Sequence, residues 1–424
     1  MTVRTFIFWL TLFLLLTLSV FGAYWFFVRE TDTASSTAQT GNSGDPFPVV
    51  PGKPLAPSKT GTARTEKGST EEVGQLGTSE SAPLTTRGKL TLIGSGPIAG
   101  ATLLSTNELR YVEQTTGHVY SLGDGETAAS KLSNTTIPKI QEVYWSSRGD
   151  SLALRVFRDS LNTIENLLGV LSRATSTTGT AEIGELKTSA LPSSIVTLAV
   201  SPDKKSLFYL NRVGDGVVGI VSDFENKKQS QVFDSLLTEW SVSWPAPNAV
   251  ALTPKPSQNV AGTLYLVDTA RKTRERVLEG TRGLTALVNP LKSFALYSQS
   301  TSGGFLTSLF DIKNKTSNIV PDTTFPEKCT WSTLHPTLLY CGVPAFIPNG
   351  NYPDDWYTGI TSFQDRIIVI DTESAETHIV LDTNEPGILD GADAINLMLD
   401  QDETNLYFTN KKDGTLWKLN LDEE

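Results

Sequence analysis

The residue types that perform chemistry are sparse in this chain, and few of them stand close together. Asp354-Asp355 is a pair of adjacent carboxylates followed directly by Trp356-Tyr357. Paired acids can exchange protons with a substrate or hold calcium. Two adjacent acids on a loop also satisfy their charges simply by facing water. The chain has 3 histidines, His118, His335 and His378, so a poly-histidine metal centre is nearly excluded. Each falls in or beside an expected strand or turn and reads as structural. The 2 cysteines are Cys329 and Cys341. No glycine-rich phosphate loop, nucleophile elbow or His-Glu metal helix is present. The expectation is therefore no cofactor, no metal and no catalytic residues.

The elements that would position these residues are short strands. From residue 89 onward one pattern recurs: an apolar strand, a polar turn and a second apolar strand. Glu142-Val143-Tyr144-Trp145-Ser146 leads through Ser147-Arg148-Gly149-Asp150 into Ser151-Leu152-Ala153-Leu154. Thr197-Leu198-Ala199-Val200-Ser201 leads through Pro202-Asp203-Lys204-Lys205 into Ser206-Leu207-Phe208-Tyr209. Cys329-Thr330-Trp331-Ser332 leads through Leu334-His335-Pro336 into Thr337-Leu338-Leu339-Tyr340. Weaker copies turn near Asn107, Ala246, Leu291 and Asp402. A third strand follows most copies, often ending on an acid, as in Thr263-Leu264-Tyr265-Leu266-Val267-Asp268. A fourth leads to the next copy. Four strands in roughly 40–50 residues make one propeller blade. Seven copies predict an all-β propeller of seven four-stranded blades over residues 89–424. The wide spacing before the last copy leaves six or eight open. The last copy shows three strands, and Lys89-Leu90-Thr91-Leu92-Ile93 stands alone before the first. That orphan is expected to supply the missing outer strand and close the ring.

This register sets the two cysteines. If Ser332 pairs with Leu338 across the blade-six turn, Cys329 lies opposite Cys341, within disulfide reach. The alternatives are a disulfide and a pair of buried thiols.

Two further segments precede the propeller. Thr5–Val28 is a run of 24 residues without a charge. It is long enough to cross a hydrocarbon core of about 30 Å. Residues 1–30 are read as a cytoplasmic tip and an uncleaved transmembrane helix, with aromatic residues at both ends. Arg4 before the span and Arg29, Glu30 and Asp32 after it predict the N-terminus inside and the propeller outside the cytoplasm. Residues 31–88 contain 37 Thr, Ser, Gly, Pro or Ala among 58. Such composition cannot offset its ordering entropy, so a disordered linker is expected. The net charge of −11 falls on residues 89–424, because acids and bases balance before them. An acidic body repels phosphate backbones, which excludes nucleic acid as a partner.

The turns Trp145-Ser146-Ser147-Arg148-Gly149 and Val200-Ser201-Pro202-Asp203-Lys204 resemble the turns of TolB-like, tryptophan–aspartate-like propellers. The resemblance covers roughly residues 89–424. It implies a propeller and suggests protein–protein binding in the cell envelope. Asp413-Gly414-Thr415-Leu416-Trp417 is similar to the Asp-box turn of sialidases, in one loose copy that serves equally as a hairpin turn. The one distinctive insertion, residues 342–365, joins the second and third strands of blade six. It brings Asp354, Asp355, Trp356 and Tyr357 to the face of the blade-to-blade connections, where they could bind a partner. The alternative is that these aromatics fold back over the blade. The expectation is a membrane-tethered, extracytoplasmic protein-binding or scaffold module that is not an enzyme. The alternative is an envelope or extracellular glycan-acting hydrolase, which should bring acids together at the mouth of the central channel.

Overall fold

The computed structural model describes residues 84–94, 96–172, 183–383, 389 and 391–422. The expected membrane span and nearly all of the expected linker lie outside these residues. Among the described residues no helix is long and apolar enough to cross a membrane.

Seven antiparallel sheets follow one another in sequence as seven blades. The first six span 98–133, 140–190, 195–235, 240–282, 285–319 and 329–382, each with four strands in sequential order. The seventh combines three strands from 394–420 with two from the start of the ring. Leu90–Gly94 pairs with Leu416–Asn420, placing Leu90 opposite Leu419 and Leu92 opposite Trp417. The orphan strand therefore closes the ring as its sequence suggested. A further strand, Thr85–Arg87, pairs outside it. Those three residues fell within the expected linker. Two β-branched threonines followed by Arg suit an exposed edge, and the Thr86 and Thr91 hydroxyls meet at 3.2 Å across the pair.

The repeat has a conformational cause. The hairpin turn between the first and second strands holds one residue at positive φ in at least five blades: Asn107, Gly149, Lys204, Lys292 and Glu403. Only glycine takes this conformation freely, so Gly149 is the residue such a turn asks for. The same turns are stitched to one another. Arg110 Nη1 donates to the Gly149 carbonyl at 2.7 Å, and the Ser147 amide donates to the Lys204 carbonyl at 2.9 Å. Glu403 accepts from the Thr333 amide at 2.7 Å and the Ser332 hydroxyl at 2.6 Å.

The core lies between the blades. Phe208, Trp244, Val250 and Leu252 fill the seam of blades three and four. Leu90, Ile367, Leu406 and Leu419 fill that of blades six and seven. Each such side chain contributes about 1.5–3 kcal/mol on burial. Trp145, Trp244 and Trp331 occupy equivalent places near the ends of their first strands, buried and with indole N–H groups that have no protein partner. The tryptophan of the repeat is thus a packing residue.

Candidate functional site

First strands of neighbouring blades touch one another, so they are the innermost strands and surround the axis. A cavity of about 1170 Å³ opens there. It is lined by residues at the starts of the inner strands, so it lies on the face of the blade-to-blade connections. Three carboxylates reach it. Glu142 is in the inner strand of blade two, Glu239 just precedes that of blade four, and Glu327 just precedes that of blade six.

Glu327 is set by a 3-10 turn, Pro326–Lys328, with proline at its first position, where the fixed φ suits a helical turn and no amide is lost. Its carboxylate accepts hydrogen bonds from the Tyr357 and Thr285 hydroxyls. Solvent reaches Glu327 from the channel, while protein crowds its other sides. That burial pushes its pKa up, against the hydrogen bonds that hold it down. Burial and the nearby Glu327 charge also push the Tyr357 phenol well above its usual value, so it stays a proton donor. Glu142 is held differently. It accepts from the Tyr144 hydroxyl at 2.5 Å and lies 3.7 Å from Arg155 Nε. Arg155 is fixed in turn by donating from Nη1 to the Val196 carbonyl at 2.9 Å. Glu239 is paired with Lys255 at 3.4 Å, both side chains well exposed.

The insertion of blade six supplies Tyr357. Its short helix, Asp354–Tyr357, splits the four residues singled out from the sequence. Tyr357 faces the channel and is 38% exposed. Trp356, one residue away, is 3% exposed and stacks on Phe325, with ring centroids 4.9 Å apart. Tyr352 and Phe363 join the same buried cluster. Asp354 accepts from the Gln258 amide of blade four at 2.7 Å, and Asp355 accepts from the Asn351 amide at 2.7 Å. Asp354 thus fastens the insertion to blade four, while Asp355 braces it from within. The sulfurs of Cys329 and Cys341 are bonded, in the register Cys329 opposite Cys341. The channel carboxylates Glu142, Glu239 and Glu327 were not singled out from the sequence. A usable signal was present: an acid near the start of the inner strand in blades two, four and six.

No protein-family model and no curated protein matches the chain. Solved structures match its fold. An oligogalacturonate lyase in complex with manganese is 12% identical, with 82% of this chain and 99% of that chain covered and a TM-score of 0.53. The oligogalacturonate lyase of Vibrio parahaemolyticus is 10% identical, with the same coverage and TM-score. TolB from Acinetobacter baumannii is 12% identical, covers 67% of this chain and 63% of its own, and has a TM-score of 0.40. The propeller that the TolB-like resemblance implied is present, with seven blades.

The expectation of a binding or scaffold module that is not an enzyme is overturned. Two structures that share this architecture over 99% of their length are oligogalacturonate lyases. The physical reason for the misreading is that the repeated turn carries strain and packing information only. The carboxylates that line the channel come from three separate blades, far apart in the sequence. Among the described residues no group of three or more His, Cys, Asp or Glu could hold a metal ion. His118 lies in blade one, and His335 and His378 lie in blade six.

Proposed function

We propose that the propeller is a glycan-acting hydrolase, held outside the cytoplasm by the N-terminal span, that cleaves its substrate in the central channel. The observation that carries this reading is the pairing of Glu327 with Tyr357 in the same cavity as Glu142 with Arg155. Glycoside hydrolysis uses two carboxyl groups in different protonation states. Glu327, held at the channel wall by the Tyr357 hydroxyl, protonates the departing glycosidic oxygen. Glu142, beside the Arg155 guanidinium, acts as the carboxylate that activates water. Water adds across the broken C–O bond, the proton taken from it leaves Glu142 to solvent, and solvent returns one to Glu327. Tyr357, partly exposed in the mouth, offers a ring face for a sugar and a hydroxyl that keeps Glu327 in place.

The test is release of reducing ends from a panel of neutral and uronate-containing oligosaccharides, with absorbance of an unsaturated product followed in parallel. Removing a general acid or base costs about 10²–10⁴ in rate. Glu327→Gln and Glu142→Gln should each lose activity on that scale and keep the wild-type melting temperature. An unsaturated product would assign elimination in place of hydrolysis. Wild-type rates in both variants, or no cleavage of any substrate, would remove the proposal.

A further inference from the structure

Among the described residues, the most deeply buried charges lie apart from the channel cavity. Lys328 ends the 3-10 turn before blade six, Asp365 begins the third strand of that blade, and Asp393 just precedes the first strand of blade seven. All three side chains have no solvent exposure. The Lys328 ammonium contacts Asp393 Oδ1 directly and lies 2.7 Å from Asp365 Oδ2. Trp356 and Phe363 cover it, with Nζ at 5.5 and 5.3 Å from their ring centroids.

The two carboxylates are prepared unequally. Asp393 Oδ2 accepts from Trp356 Nε1 at 3.0 Å, the Ser362 hydroxyl at 3.2 Å and the Phe363 amide at 3.1 Å. Asp393 Oδ1 faces the amine, with a longer contact to Trp356 Nε1 at 3.3 Å. Asp365 Oδ2 accepts from the Ala394 amide at 2.6 Å, and its Oδ1 has no partner. Burial pushes the Asp365 pKa up to about 6, with Lys328 pulling it down and Asp393 pushing it further up. A fully buried carboxyl group with an unpartnered oxygen is placed to carry a proton.

A plain ion triad is an expensive way to fill this space. Desolvating a cation and its carboxylate partners is costly, and an apolar replacement is often no less stable. A lysine amine held against a carboxylate oxygen in a dry site also brings together the two partners of a condensation. Three donors on one oxygen form an oxyanion hole. Fixing the reactants together is worth an effective molarity of about 10⁵–10⁸ M.

We propose that Lys328 and Asp393 join as an intramolecular isopeptide bond, with Asp365 as the proton shuttle. The Lys328 Nζ–Asp393 Cγ bond forms and the Cγ–Oδ1 bond breaks. Asp393 Oδ2 bears the negative charge of the tetrahedral intermediate, in front of Trp356, Ser362 and Phe363, and remains as the amide oxygen. Of the three ammonium protons, one stays on the amide nitrogen. Two leave with Oδ1 as water, relayed through Asp365, which ends as it began. No oxidant or co-reactant is consumed. The product has one amide in place of a buried ion pair and ties blade six to blade seven near the seam where the ring closes.

Intact mass spectrometry of the full-length protein, reduced and denatured, tests this. The wild-type chain should be lighter than its sequence by one water. Succinimide at Asp124-Gly125, Asp215-Gly216, Asp390-Gly391 or Asp413-Gly414 would also remove a water, so peptide mapping decides. The expected result is a branched peptide joining the segments that contain Lys328 and Asp393. Asp365→Asn should keep both partners and restore the full mass, with the two segments released separately. A full-mass wild-type chain, or a deficit without the branched peptide, overturns the proposal, and neither result depends on a variant folding. A bond formed to the wild-type extent in Asp365→Asn overturns the role given to Asp365.

Discussion

Truncating Leu90 to alanine tests whether the ring is closed by a strand from its own beginning. Leu90 has no exposed surface, faces Leu419 across the pair and packs with Leu406 and Phe408 of the same blade. Deleting a buried leucine's side chain costs about 2.7–5 kcal/mol, because the cavity collapses only in part. Unfolding entropy is about 2.1 cal/mol/K per residue, so a ring of roughly 340 residues loses about 1.4 °C per kcal/mol. The expected fall in melting temperature is therefore about 4–7 °C. Thr91, its neighbour in the strand, is half-buried and lies opposite Lys418. Its replacement by alanine should cost under about 0.5 kcal/mol and shift the melt by less than about 1 °C. Calorimetry of the two full-length variants beside the wild type supplies the comparison. Equal shifts, or none in Leu90→Ala, would mean that this strand does not complete the seventh blade.

Glu403 receives hydrogen bonds from Ser332, Thr333 and Leu334 across the seam of blades six and seven, so Glu403→Gln should cost about 1–3 kcal/mol in chemical denaturation. Burial raises the pKa of this carboxyl, but those donors outweigh it and hold the pKa below 4.5. The stabilisation is thus fully present above pH 4.5 and lost as pH falls through the lower folded value. The gap between wild type and variant should narrow in acid, and a constant gap would refute it. Trp356→Ala should destabilise by about 3–5 kcal/mol, since the ring is buried against Phe325; a wild-type melt would contradict its packing role. Reducing the Cys329–Cys341 bond, with a sequence separation of 12, should lower stability by about 2–3 kcal/mol in the chain-entropy account; an unchanged melt under reductant would count against it.

The blades were legible because their cause is local. Alternating strands and turns such as Ser147-Arg148-Gly149 write the hairpin directly into the chain, and one assumed pairing, Ser332 with Leu338, is enough to set Cys329 against Cys341, the register observed. The closing strand was legible by elimination, as an apolar run with no neighbour of its own. The candidate site was mostly hidden. Trp356 and Tyr357 are adjacent aromatics, and only the turn of a short helix sends one into the interior and the other into the channel. Glu142, Glu239 and Glu327 are ordinary acids until ring closure brings their blades around one axis. Lys328 and Asp393 are 65 positions apart, and neither has a neighbour in sequence that betrays the other.

Ring closure also has a consequence in time. Leu90 pairs with Leu419, and ribosomes add about 5–20 residues per second. Once the first strand emerges, roughly a quarter of a minute to a minute passes before its partner exists. Through that interval Leu90–Gly94 is a nascent segment with apolar side chains and unmet backbone groups, available to any other unpaired edge. Six blades can stack as they are made, each on the one before, while the seventh waits for the two extremities of the ring to meet. Synthesis, then, leaves a half-built seventh blade as the last open register, and it is there that two nascent copies would exchange strands.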